Sequence, residues 1–139
     1  MKDMHSNISV VHAITPQAIG TTGIAGGQLS AVLDRRGFNS AEFIVSHGAS
    51  ATVADTIEQI IYECATTGGT FTSVASADLM PNTGEPTLTR TTGGASARLG
   101  YRGNKRYLKI RAYGVGGATG DVSAVLVLGD PESAPVADS

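Results

Sequence analysis

Three histidines, one cysteine and twelve carboxylates are the groups in this 139-residue chain most suited to chemistry. Their spacing argues against most of it. A metal centre needs ligands clustered at short spacing. Here His5, His12 and His47 are scattered, Cys64 is remote from all three, and no HExxH, CxxC or EF-hand loop occurs. A hydrolase needs a nucleophile, a base and an orienting group. No serine sits in a G-x-S-x-G elbow, and Cys64 with a distant histidine is what any chain of this composition offers. The acidic residues are spread out rather than paired as in a glycosidase, and there is no Trp to stack on a sugar. Gly20, Gly23, Gly26 and Gly27 lack the dinucleotide spacing, and no Walker lysine follows any glycine loop. No catalytic residue, metal or cofactor is therefore expected. An interaction module fits better than an enzyme.

The charge pattern is more informative. The net charge of −2 gives no global attraction to nucleic acid or to an anionic membrane. Between Pro86 and Gly120 there is no acid, yet seven basic residues fall there: Arg90, Arg98, Arg102, Lys105, Arg106, Lys109 and Arg111. The plain reading is one solvated strand face with its turns. The functional reading is a surface that docks on an acidic protein partner, with Arg35, Arg36, Arg98, Arg102, Lys105, Arg106, Lys109 and Arg111 as the candidate interface. Nucleic acid fits less well, since aromatic residues for base stacking make up only 5% of the chain.

These side chains must be positioned by strands. Charged residues are only 16% of the chain and glycines number 18, a composition suited to short strands and many turns rather than surface helices. Strands are expected over 7–14 (ended by Thr15-Pro16), 28–33, 39–46, 70–74, 95–101, 105–113 and 121–128. Residues 55–64 fit helical spacing at Ile57, Ile60, Ile61 and Cys64. They also alternate as a strand does, and the β context and the Gly68-Gly69 turn favour the strand. In KRYLKIRAY, Leu108, Ile110 and Ala112 share one face with Arg106, while Tyr107, Lys109, Arg111 and Tyr113 share the other. Residues 75–92 read as a long irregular connection. The expected fold is one antiparallel β-sandwich or jelly-roll-like barrel of about eight strands, spanning 1–139. It has a flexible arm at 1–6, a β body at 7–128 and an extended tail at 129–139. Cys64 makes no disulfide framework, no secretory signal or membrane span is legible, and synthesis in a cytoplasm is expected.

Five segments carry a resemblance. MKDMHSNISVVHAITP at 1–16, LDRRGF at 33–38, FTSVASADL at 71–79, LGYRGNKRYL at 99–108 and VSAVLVLGDPESAPV at 122–136 are similar to small proteins encoded in the head and structural gene blocks of tailed phages and prophages. The chain departs from that pattern before FTSV, where Thr66-Thr67-Gly68-Gly69 replaces an Asp- and Gly-rich turn. The resemblance implies a structural protein of the virion. Its most specific form is a decoration (cement) protein on the outer capsid surface, a homotrimer bound to the major capsid protein. A head–tail joining or tail protein, and a glycan- or receptor-binding module on the particle, are the alternatives.

Overall fold

The computed structural model describes residues 3–20, 23–48, 56–80, 87–89, 94–116 and 120–136. These form strands β1 (Ile8–Ala18), β2 (Gln28–Leu29), β3 (Leu33–Asp34), β4 (Phe38–His47), β5 (Thr56–Cys64), β6 (Thr72–Ser73), β7 (Leu79–Met80), β8 (Thr87–Thr89), β9 (Ala95–Tyr101), β10 (Tyr107–Val115) and β11 (Asp121–Pro131), with three short 3-10 turns. The strands lie in two antiparallel sheets. One runs β1-β11-β4-β9-β7; the other runs β2-β10-β5-β6, with β3 also on β10 and β8 also on β5.

The sandwich follows from period-two patterning. Ala41, Phe43 and Val45 of β4, Leu126 and Leu128 of β11, and Leu99 of β9 turn inward from the first sheet. Ile57 and Ile61 of β5 and Leu108, Ile110 and Ala112 of β10 turn inward from the second. Residues 56–64 are thus a strand: Ile57, Gln59 and Ile61 alternate inward, and each of the nine residues pairs with β10.

Three expectations are corrected. β1 does not stop at Thr15-Pro16 but runs to Ala18, with register shifts between His12 and Ile14 and between Ile14 and Gln17. It is the edge strand, where a missing amide and a bulge are tolerated. The 28–33 strand is two two-residue pieces, β2 and β3. Between them the Ser30 amide donates to the Ile110 carbonyl at 2.9 Å, but the return bond goes to the side chain: its Oγ accepts the Ile110 amide at 3.0 Å and donates to the Ala31 carbonyl at 2.8 Å. The 75–92 connection contains β7 and β8, and Leu79 of β7 is completely buried.

The β body reaches past the expected boundary at 128, and the described parts of the arm and tail are hydrogen-bonded. Strand β11 continues through Pro131, the Glu132 amide then donates to the Gly37 carbonyl at 2.8 Å, and the Val136 amide donates to the Ser6 carbonyl at 2.9 Å.

Candidate interaction surface

At one end of the sandwich, β1 begins, β11 ends, β3 turns into β4, and β9 passes to β10. The 34–37 turn is organised by Asp34, whose Oδ1 accepts the Arg36 amide at 3.0 Å. Gly37 completes the turn at φ 86°, a backbone conformation that glycine adopts without strain. The 102–106 turn is held from outside its own sequence. Arg35 donates from Nε to the Lys105 carbonyl at 2.6 Å and from Nη2 to the Gly103 carbonyl at 3.0 Å, while its guanidinium lies 5.3 Å from the centre of the Tyr101 ring. The Tyr101 hydroxyl donates to Glu63 of the opposite sheet and accepts the Lys105 amide at 3.0 Å. Burial, and secondarily the Glu63 carboxylate, push the Tyr101 hydroxyl above the usual phenol range.

Arg106 forks onto Asp34, with Nε to Oδ1 at 2.8 Å and Nη2 to Oδ2 at 2.6 Å, and stacks 4.9 Å from the Tyr107 ring centre. That bidentate bond holds the Asp34 carboxyl below the ordinary aspartate value and raises the guanidinium. Arg36 and Arg102 are exposed. The Arg102 amide donates to the Asp78 carbonyl at 2.7 Å, and its guanidinium touches the Met80 sulfur at 3.7 Å. A shallow depression of about 370 Å³ opens here between Arg36, Arg106, Asn104 and Glu132.

The eight basic residues expected as one interface occupy three surfaces. Arg35, Arg36, Arg102, Lys105 and Arg106 share the end just described. Lys109 and Arg111 stand on the outer face of the β10 sheet, where the Lys109 ammonium lies 4.4 Å over the Phe71 ring and the Arg111 Nη1 donates to the Ile24 carbonyl at 2.8 Å. Arg98 stands on the outer face of the β11 sheet, 3.6 Å from Glu42. The run parts because β9 and β10, consecutive in sequence, belong to opposite sheets. Arg90 lies outside the described residues.

The composition hides a further feature. Strand register sets Tyr107, Tyr62 and Tyr113 on the outer face of the β10 sheet, and Tyr62 shares a shallow depression there with Phe71, Lys109 and Arg111, so this aromatic-poor chain carries several of its rings on that face. The alternation in KRYLKIRAY signalled this for Tyr107 and Tyr113; Tyr62 required the β5–β10 pairing. Among the described residues no group of three or more His, Cys, Asp or Glu is placed to hold a metal ion, and no helix is long and apolar enough to cross a membrane.

No family model matches the chain, and no curated protein matches its sequence. Among solved structures, the PBSX exported protein XepA is similar with a TM-score of 0.56 and 13% identity, over 100% of this chain; the chain spans 42% of XepA. The Clostridium thermocellum xylanase 10B CBM22-1–GH10 modules follow with a TM-score of 0.48 and 10% identity, over 92% of this chain and 30% of theirs. The infectious bursal disease virus Gx strain structure gives 0.46 and 13%, over 91% and 32%. At 13% identity the likeness to XepA is one of fold, and function has to be argued from the surface.

Proposed function

We propose that this chain is a non-enzymatic structural protein of a tailed-phage virion, and specifically a capsid decoration protein that docks on the outer shell through the basic end of its sandwich. The observation that carries the reading is the convergence of the five resembling segments. They lie far apart in sequence, yet backbone hydrogen bonds chain them together at that end. Ser6 of the first accepts from Val136 of the last, Glu132 of the last donates to Gly37 of the second, the Arg35 amide donates to Arg106 of the fourth, and Arg102 of the fourth donates to Asp78 of the third. The same segments also carry core residues such as Leu33, Leu79, Leu99, Leu126 and Leu128, so their resemblance speaks for the shared fold and virion role, while the partner's chemistry is read from the cations. Arg36, Arg102 and Lys105 have no acid at salt-bridge distance among the described residues, so an acidic patch of the major capsid protein is the complementary surface.

Purified protein added to expanded capsids that lack it tests this directly. Binding in many copies is the expected result. The double variant Arg36→Glu, Lys105→Glu should bind at least tenfold more weakly, with a reduced salt dependence. Failure of the wild-type protein to bind the shell removes the decoration reading.

The aromatic face of the β10 sheet favours a second reading, a glycan-binding module on the particle, with Tyr62 and Phe71 as the stacking platform and Lys109 and Arg111 beside them. Glycan-array binding that is lost in Tyr62→Ala and retained in the Arg36, Lys105 variant would favour it.

A further inference from the structure

The outer face of the β11 sheet is apolar in a way one solvated sheet face does not require. Strand β11 reads Val125-Leu126-Val127-Leu128, the near-continuous apolar run of a strand covered on both sides. Leu126 and Leu128 are buried in the core, so Val125 and Val127 point away from it. Register extends that outer face into rows. One crosses the whole sheet as Val10, Val127, Glu42, Gly100 and Met80; the next reads His12, Val125, Ile44 and Arg98. Val10 and Met80 are each half exposed at 50%.

The face has relief as well as apolarity. Gly100 and Gly129 leave a hollow of about 410 Å³ between Ile8, Met80 and Val127, with Glu42 and Arg102 also in its lining, and the side chains of the next row, Val125 and Ile44, form a ridge beside it. Side chains could not simply be added there: a Cβ on Gly100 would come within 3.2 Å of the Met80 Cβ, and one on Gly129 within 2.9 Å of the Ser40 Oγ. The only charged residues in the two rows are Glu42 and Arg98, one acid and one base.

We infer that this face is an interface with a second copy of the chain, the two copies meeting face to face about a two-fold axis. A surface carrying both a ridge and a hollow, and both an acid and a base, is complementary to itself, which is what an isologous contact demands. With the axis beside the Glu42–Arg98 pair, each Arg98 faces the partner subunit's Glu42 as well as its own. The contact is a small one. Across β1, β11, β4 and β9, four strands wide and about seven residues long at ordinary sheet spacings, the face measures about 19 by 24 Å. One side of a standard-size interface buries about 800 Å². The trimer expected from the family resemblance would set this face against a different surface of each neighbour and leave the self-matching without a role. Arg102 lines the hollow, but Arg36 and Lys105, the residues on which the capsid-docking test rests, do not, so the two readings are tested separately.

The test is the solution mass of the full chain by light scattering coupled to size exclusion, over a range of concentrations. The expected value is twice the 14.2 kDa chain mass. Val127→Lys should lower it to one chain mass while far-ultraviolet circular dichroism and thermal unfolding show a folded sandwich. Leu29→Lys, on the outer face of the other sheet, should leave the pair intact. Glu42→Arg and Arg98→Glu should each weaken the pair at least tenfold, and the two together should restore it. A monomer at all concentrations, a trimer, or a dimer indifferent to Val127→Lys overturns the inference. Should Val127→Lys fail to fold, the charge-reversal pair decides alone: no loss in the single variants overturns it.

Discussion

Arg35 reaches out of its own turn to hold another, with its guanidinium 5.3 Å from the Tyr101 ring centre and two of its nitrogens on the carbonyls of Gly103 and Lys105. Arginine suits the place because one planar fork serves two acceptors while its face rests on a ring. The Arg35–Tyr101 pair thereby fixes the passage from one sheet to the other.

Replacing Arg35 with alanine leaves both carbonyls without that donor. The expected loss is about 1–3 kcal/mol, read as a lower urea midpoint at unchanged slope. Lysine, which lacks the fork, should recover less than half of it.

Tyr101 makes stability depend on pH at the alkaline end. Its folded pKa is raised above the ordinary value of 10.0, so the stabilisation is complete below that value and is lost as pH rises above it. Thermal unfolding should show a midpoint falling above about pH 10. In Tyr101→Phe the starting midpoint should be lower and that alkaline fall weaker.

Asp34 acts at the other end. Its folded pKa lies below the ordinary 3.8, so its contribution is present above that value and lost as pH falls. The pair with Arg106 is solvent-facing, so the effect is small. Asp34→Asn should flatten the acid limb of stability below pH 4 and leave the neutral value little changed.

Gly37 is required by its backbone. At φ 86° nothing lies near its missing side chain, so Gly37→Ala meets no clash and its cost is conformational, about 1–2 kcal/mol. Gly68 has open space and no left-handed φ, and Gly68→Ala should leave the melting temperature unchanged or slightly raised.

Gln59 is a polar residue in the core, 1% exposed, with Nε2 donating to the Ile57 carbonyl at 3.1 Å and Oε1 without a partner among the described residues. Leucine removes the unmet acceptor at nearly constant volume. Gln59→Leu should therefore hold or raise the denaturation midpoint, and a clear fall would show that Oε1 has a role.

Much of the architecture was legible in the sequence because it rests on alternation. β9 and the faces of β4, β5 and β10 follow directly from the order of apolar and polar residues. Elements shaped by their neighbours were less legible. β1 passes Pro16 because it lies at an edge, β2 and β3 separate because the Ser30 side chain completes the pairing, and β7 and β8 are too short to announce themselves. The candidate surface divides along the same line. The basic residue types were visible, but Arg98 and Arg111 look like neighbours until β9 and β10 are assigned to opposite sheets. Arg35 was grouped with the interface by its charge, whereas its contacts are those of a turn organiser. The outward valines of β11 are indistinguishable from its core residues in a continuous apolar run until the register assigns each a face.

The hydrogen bond from Val136 to Ser6 has a mechanical consequence. β1 and β11 are antiparallel neighbours whose outer ends lie side by side, so a force separating Ser6 from Val136 would peel β1 from the sheet one rung at a time instead of shearing every rung at once. This is a compliant direction for a folded sheet. A chain held to a support at both points together bears no such force, since the load enters and leaves at the same corner and the two sheets carry none of it.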